Sequence, residues 1–242
     1  MATPAEAGGT AVVIPTLNEA GAIPLVVREV PREFVREIIV ADSGSTDGTA
    51  EAARAAGARV VALAERGYGR ACAAGAAAAS PECDILVFLD GDGSDRADLM
   101  GVLVAPIRAG THDFVIGSRA RGEREPGAMN WHQLLAGYLA GLVTWMLYGV
   151  RYSDMCAFRA IRREALEGLA LREMTYGWNI EMQMQAARAG LRILEVPVPY
   201  RRRVAGTSKV AGSLRGTLRA ATRIIATCLR VATSPPPARR SS

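Results

Sequence analysis

The sequence predicts an α/β fold, a mostly parallel and doubly wound sheet in a single domain, followed by a C-terminal amphipathic helix. Three observations carry this reading. Short β-branched runs alternate with Ala-rich stretches of helical length through the first 120 residues, and that rhythm builds parallel sheets through right-handed crossovers. The 242 residues suffice for one substantial core but not for two full domains. Half of them are apolar and 22% are charged, a globular composition that excludes disorder of the bulk.

Strands are expected over residues 11–14, 37–41, 59–63, 85–89 and 113–116, with helices over 20–30, 47–56, 68–79 and 95–109 between them. Residues 130–150 carry no Asp, Glu, Lys or Arg. That length qualifies as a membrane span, but Asn130, His132, Gln133 and the interspersed glycines dilute it, so a buried or membrane-apposed helix is expected. A strand over 156–161, a helix over 178–189 and a strand over 192–196 follow. Residues 213–232 read as an amphipathic helix: Leu214, Leu218, Ala221, Ile225, Cys228 and Ala232 recur every three or four positions, with Arg215, Arg219, Arg223 and Arg230 elsewhere around the axis. Such a helix lies in a bilayer interface or packs on its own protein. Residues 233–242, with three consecutive prolines, are expected to be disordered.

Charge is unevenly spread. Residues 201–242 hold ten basic and no acidic side chains, which leaves 19 basic against 24 acidic in the first 200. A basic tail on an acidic body points to anionic partners. No nucleic-acid recognition motif or aromatic interleaving accompanies it, so nucleic acid is excluded and anionic lipid is preferred. Cys72, Cys83, Cys156 and Cys228 fall in no paired or metal-finger spacing, and no charged-then-apolar leader opens the chain; a cytoplasmic protein is expected, peripheral on the inner membrane face.

The densest chemical signal is Asp90-Gly91-Asp92 at the mouth of the 85–89 run. Open α/β sheets bind ligands beyond the carboxyl ends of their strands, and two hard oxygen donors there suit Mg²⁺ or Mn²⁺ with positions open for a diphosphate. An Asp/Gly turn would use the same residues. The first strand ends in Pro15, Asn18 and Glu19, and the second in Asp42-Ser43-Gly44-Ser45-Thr46-Asp47, where Asp42 can accept from a ribose or base and Asp47 can cap the next helix. For an acceptor hydroxyl that needs a general base, Asp154 and Glu181 are the candidates. Gly67-Tyr68-Gly69 lacks the third glycine and the position of a dinucleotide fingerprint, there is no Gly-rich Lys-Ser/Thr phosphate loop, and His112 and His132 form no relay with a serine. NAD binding, ATP hydrolysis and triad chemistry are thereby excluded.

In their joint order these segments resemble the family 2 glycosyltransferases of the GT-A fold, of the dolichol-phosphate or polyprenyl-phosphate hexosyltransferase type. The resemblance rests on residues 14–19, 42–49, 90–92, 116–119, 158–163 and 200–209. It implies an inverting hexosyltransferase, using a UDP- or GDP-sugar donor and a divalent metal. Pro15, Asn18, Glu19 and Asp42 would line the nucleotide pocket, Asp90 and Asp92 would serve metal and diphosphate, and Arg119, Arg201, Arg203, Ser208 and Lys209 would face phosphates or the acceptor. That acceptor would be a polyprenyl phosphate or, alternatively, a soluble hydroxyl compound; a non-catalytic nucleotide-sugar binding module is the third reading. The catalytic domain would span 1–210, the helix 211–232 and the tail 233–242. Ser43 and Ser94 depart from the family, which often has a carboxylate and a glutamine there.

Overall fold

A computed structural model describes residues 9–205 and 214–234; Ser208, Lys209 and most of the expected tail lie outside the described residues. The strands are β1 (Gly9–Thr16), β2 (Val35–Asp42), β3 (Arg59–Ala62), β4 (Cys83–Phe88), β5 (Phe114–Ser118), β6 (Arg159–Arg162) and β7 (Ile193–Pro197). The helices are α1 (Ile23–Glu29), α2 (Thr49–Ala55), α3 (Tyr68–Ala78), α4 (Gly101–Arg108), α5 (Trp131–Tyr148), α6 (Arg163–Leu169), α7 (Trp178–Arg188) and α8 (Leu214–Thr233). They form one seven-stranded sheet in the order β3-β2-β1-β4-β6-β5-β7.

Only β6 among these strands runs against the rest, pairing antiparallel with both β4 and β5. β1 pairs with β2 on one side and β4 on the other, and seven of its eight residues are buried, as expected for a central parallel strand covered on both faces. Each fully buried Val or Ile on such a strand contributes roughly 1.5–3 kcal/mol. The chain runs outward from β1 through β2 to β3 and then returns to β4 on the opposite side. That reversal opens a crevice at the ends of β1, β2 and β4.

Three expected elements shift. The helix expected from residue 20 begins at Ile23, because Asn18 takes a left-handed conformation (φ 54°) and residues 19–22 form a turn before Pro24 starts the helix. The helix expected over 95–109 splits into a 3₁₀ turn (Ala97–Leu99) and α4, since Asp95 is drawn into the strand-end loop and accepts the Asp90 N–H. The strand expected from 156 starts at Arg159, because the Arg159 guanidinium folds back onto the Cys156 carbonyl, while Gly117 donates to the Phe158 carbonyl.

α5, α7 and α8 share a second, smaller core of Ala140, Ile180, Met184 and Val231. The face of α8 read from periodicity is corrected here: Ala220, Thr227 and Val231 are buried, whereas Ala221, Ile225 and Ala232 are exposed. Polar anchoring sets this rotation. Thr227 donates to Glu173 and Arg230 to Glu181, and a buried polar tether is invisible to a hydrophobic pattern. No helix among the described residues is long and apolar enough to cross a membrane.

Candidate active site

The ends of β1 and β2 form a hydrogen-bonded unit. Asp42 is buried and accepts from the Thr16 hydroxyl (3.0 Å), the Ser45 N–H (3.0 Å) and the Ser45 hydroxyl (2.5 Å). The Asn18 side chain accepts from the Thr46 N–H (2.9 Å), and its own N–H donates to the Ser45 hydroxyl (2.8 Å), so Asn18 joins the two loops and caps no helix. Asp47 anchors the start of α2 through the Thr49 N–H and also accepts the Ala20 N–H (3.1 Å). Pro15 lies within β1. Val13 accepts from Leu89 and Thr16 from Ser43, so strand alternation turns the position of the missing Pro15 N–H toward β4, whose pairing has already ended at Val13.

Beyond β4, three carboxylates crowd one loop. Asp92 is buried; its Oδ1 accepts from the Ser94 N–H (2.9 Å) and hydroxyl (2.5 Å), and its Oδ2 meets the Arg203 guanidinium at 2.6 Å. Asp95 is buried behind it, while Asp90 keeps partial solvent access. Burial, reinforced by the charges of Asp95 and Asp92, pushes Asp90 up to about 8. Burial also pushes Asp95 up to about 6, against the Asp90 N–H and Arg119. Three carboxyls so close oppose one another's ionisation, and a bound cation would relieve that repulsion.

The segment after β7 straps across this loop. Arg201 donates its N–H to the Ser94 carbonyl (3.1 Å), and Val204 donates to that of Asp92 (3.0 Å). Gly93 permits the contact: its φ is +79° and a Cβ there would meet Val204 Cγ2 at 2.6 Å. Arg201 is tied to the Gly93 carbonyl (2.6 Å) and to Glu29. Arg203 spans Asp92 and buried Glu19, the latter at 3.5 Å. A cavity of about 320 Å³ bounded by Ala76, Leu86, Arg163 and Trp178 is lined by none of these site residues.

Arg119 and Asp154 form a separate, closed pair. The guanidinium grips both carboxylate oxygens at 2.8 Å, the Arg119 N–H adds a third bond (2.9 Å), and the Tyr200 ring lies 4.9 Å from the guanidinium carbon. Burial opposes ionisation of Asp154, but the charge and hydrogen bonds of Arg119 outweigh it and hold the carboxyl below the usual range. Glu181 joins neither group. It is fully buried, accepting from the Arg172 N–H (3.0 Å), the Glu173 N–H (2.6 Å) and Arg230 (2.8 Å). As the two base candidates, Asp154 is locked in a fork and Glu181 is turned toward α8.

Residues the sequence reading missed are Asp95 and Ser94 as partners of the paired acids, and Thr16 and Ser45 as supports of Asp42. The spacing of Asp95, five positions after Asp90, was the available signal. Among the described residues, no group of three or more His, Cys, Asp and Glu could hold a metal ion alone. The donor set still fits a hard divalent cation: carboxylates on either side of Gly91 would take the remaining ligands from substrate oxygens and water.

The family model for "Glycosyl transferase family 2" matches residues 11–169. The chain is 34% identical over 221 residues to an undecaprenyl-phosphate mannosyltransferase of Micrococcus luteus, covering 84% of this chain and 88% of that one. It is 33% identical over 217 residues to a polyprenol monophosphomannose synthase of Mycolicibacterium smegmatis, covering 84% and 82%. Among solved structures it resembles glucosyl-3-phosphoglycerate synthase of Mycobacterium tuberculosis in complex with Mn²⁺, UDP and glucosyl-3-phosphoglycerate, with a TM-score of 0.75 and 28% identity over 94% of this chain and 81% of that one. The sheet with its crevice is the GT-A architecture, and the chain is a glycosyltransferase belonging to glycosyl transferase family 2.

Proposed function

We propose that the protein transfers a hexose, with inversion, from a nucleotide sugar to a polyprenyl phosphate at a membrane surface. The observation that carries the choice of acceptor is the closed Arg119–Asp154 fork. A hydroxyl acceptor needs a general base within reach, whereas a lipid phosphate is already ionised near neutral pH; of the base candidates, Asp154 is held by Arg119 and Glu181 by α8. The names of two relatives, an undecaprenyl-phosphate mannosyltransferase and a polyprenol monophosphomannose synthase, support the same acceptor class.

Asp42, fixed by Thr16 and Ser45, keeps a lone pair on Oδ2 for an N–H or O–H donor of a nucleoside. Asp90 and Asp92 are the residues that would hold Mg²⁺ or Mn²⁺. Such an ion, when bound, neutralises the diphosphate as the sugar departs. Arg203 can give up Asp92 and present its guanidinium fork to the same phosphates. Arg119, oriented by Asp154 and Tyr200, supplies a fixed cation for the acceptor phosphate. Ser208 and Lys209, on the same segment, are proposed to meet phosphate as well.

A second reading is favoured by the likeness to glucosyl-3-phosphoglycerate synthase, which points to a small phosphorylated acceptor. One experiment separates the two. Radiolabelled UDP- and GDP-sugars are offered with Mn²⁺ and either polyprenyl phosphate or 3-phosphoglycerate, and the label is partitioned between organic and aqueous phases. Label in the organic phase, abolished by EDTA, supports the lipid acceptor. Label only on the soluble acid supports the second reading, and donor binding without any transfer would leave a binding module.

A further inference from the structure

Helix α5 has two unlike faces. Inward, Gly137, Ala140, Gly141 and Thr144 are buried. A Cβ on Gly141 would meet the Tyr152 carbonyl at 1.8 Å, and one on Gly137 the Cα of Asp154 at 3.3 Å. The helix therefore lies directly on the backbone that carries Asp154, and at position 141 only glycine allows that approach. Outward, Trp131 (74% exposed), Leu135, Tyr138, Leu139, Trp145 (52%) and Met146 (64%) stand in solvent. A contiguous apolar stripe of that extent marks an interaction surface. Helix α8 packs on α7, as α5 does, and adds exposed Ile225 and Leu229.

The charges around this face have one sign. No Asp or Glu occurs between Glu125 and Asp154, and none follows Glu195. Arg151 lies 6.0 Å over the Tyr138 ring, and Arg223 is exposed on α8. Glu181 and Glu173, the acids facing α8 from its packing partners, are paired with Arg230 and Thr227. The surface is thus apolar, rich in tryptophan and tyrosine, and bordered by Arg151 and Arg223, of which Arg223 also faces Glu173.

We infer that the outer face of α5, flanked by α8, docks flat on an anionic lipid bilayer, with the aromatic rings at headgroup depth. This rests on the polyprenyl-phosphate reading and deepens it, since a bilayer on α5 sits one helix thickness from Asp154 and Arg119. Charge complementarity selects this occupant. Anionic headgroups neutralise Arg151 and Arg223 while the acyl boundary takes the apolar stripe, and interfacial depth is where Trp and Tyr are favoured. A second copy meeting the face about a two-fold axis would bring a second set of the same arginines into the interface, with no acid on α5 or α8 to pair them. The helix, 18 residues long, would lie along the membrane plane; it does not qualify to cross.

The test uses the full chain and large vesicles of phosphatidylcholine, with or without phosphatidylglycerol. The protein should sediment with the phosphatidylglycerol vesicles, less so at high salt, and its tryptophan emission should shift to the blue, because Trp131 and Trp145 are exposed while Trp178 is buried. The combined Trp131→Ser, Trp145→Ser, Met146→Ser variant should partition on the order of ten-fold more weakly or worse, and Arg151→Gln about five-fold more weakly. Equal sedimentation of wild type and the combined variant, or none by the wild type, overturns the inference. So does a dimer in sedimentation velocity that the combined variant converts to monomer without vesicle uptake, which would make the occupant a second copy. Sugar-nucleotide titration without vesicles is run in parallel and should be the same for all variants. Failure of the wild type to bind donor would sink the enzymatic reading and leave the vesicle result to stand or fall separately.

Discussion

The acids at the end of β4 and the acids on the α5–α7 side of the molecule live under opposite charge conditions. Asp90, Asp92 and Asp95 share one loop with, among the described residues, a single direct guanidinium, that of Arg203, and burial and mutual repulsion push two of them up to about 8 and about 6. Asp154 and Glu181 are buried as well, but each has a guanidinium and backbone N–H groups on its oxygens, as only Asp92 has in the β4 loop among the described residues, through Arg203 and Ser94. Negative charge left over by the fold is what a cationic ligand can use, whereas negative charge already matched holds the architecture. The two groups should therefore fail differently when mutated.

The largest effect is expected at Asp92. Asp92→Asn removes a charge that the proposal assigns to the metal and diphosphate, a contribution of several kcal/mol to the transition state, or about 10³-fold in turnover. The thermal midpoint should fall less than for Asp154→Asn, because the Arg203 guanidinium left behind is more exposed and still reaches Glu19. Labelled-donor assays beside thermal melts check both halves; turnover close to wild type would erase the distinction between the two groups of acids.

Asp154→Asn should instead act on the fold. It leaves the Arg119 guanidinium, 13% exposed, without its counter-charge, and breaking a buried pair from one side costs about 3–5 kcal/mol. Urea unfolding measures this, and an Asp154→Asn protein as stable as the wild type would show that the fork contributes nothing to the fold. Glu181→Gln is milder, since Arg230 is partly solvated: about 1–3 kcal/mol, with unchanged donor affinity and earlier proteolysis within α8.

The sequence made this comparison only half legible. Asp90, Asp92 and Asp42 could be placed because apolar runs predict strands and strand ends predict ligand edges, and the structure puts them around one crevice. Neither β6's reversed direction nor the strap of residues 200–204 on Gly93 could be read that way, since both are set by contacts across more than sixty positions. The roles of Asp154 and Glu181 were obscured for the same reason. An acid near a helix start looks identical in sequence whether it faces a substrate or a distant arginine, and only the Arg119 and Arg230 partners decide. The outward turn of Ile225 and Leu229 follows from polar anchors on α8 that carry no periodic signal.

The smallest effect sharpens the comparison by titration. Arg119 overcomes burial and holds Asp154 below the usual carboxylate range in the folded protein, whereas in the unfolded chain the group titrates near 3.9. The sign follows: the stabilisation is fully present above about pH 4 and disappears as pH falls through the lower, folded value, because there the unfolded chain takes up the proton first. Between about pH 5 and pH 3 the wild-type unfolding free energy should fall more steeply than that of Asp154→Asn, by at most about 1.4 kcal/mol per pH unit for the one proton involved. Urea midpoints of both proteins at closely spaced pH values measure that difference in slope. Parallel slopes would mean that the Arg119 fork is open in solution, and an open fork would return Asp154 to the acids with charge to spare.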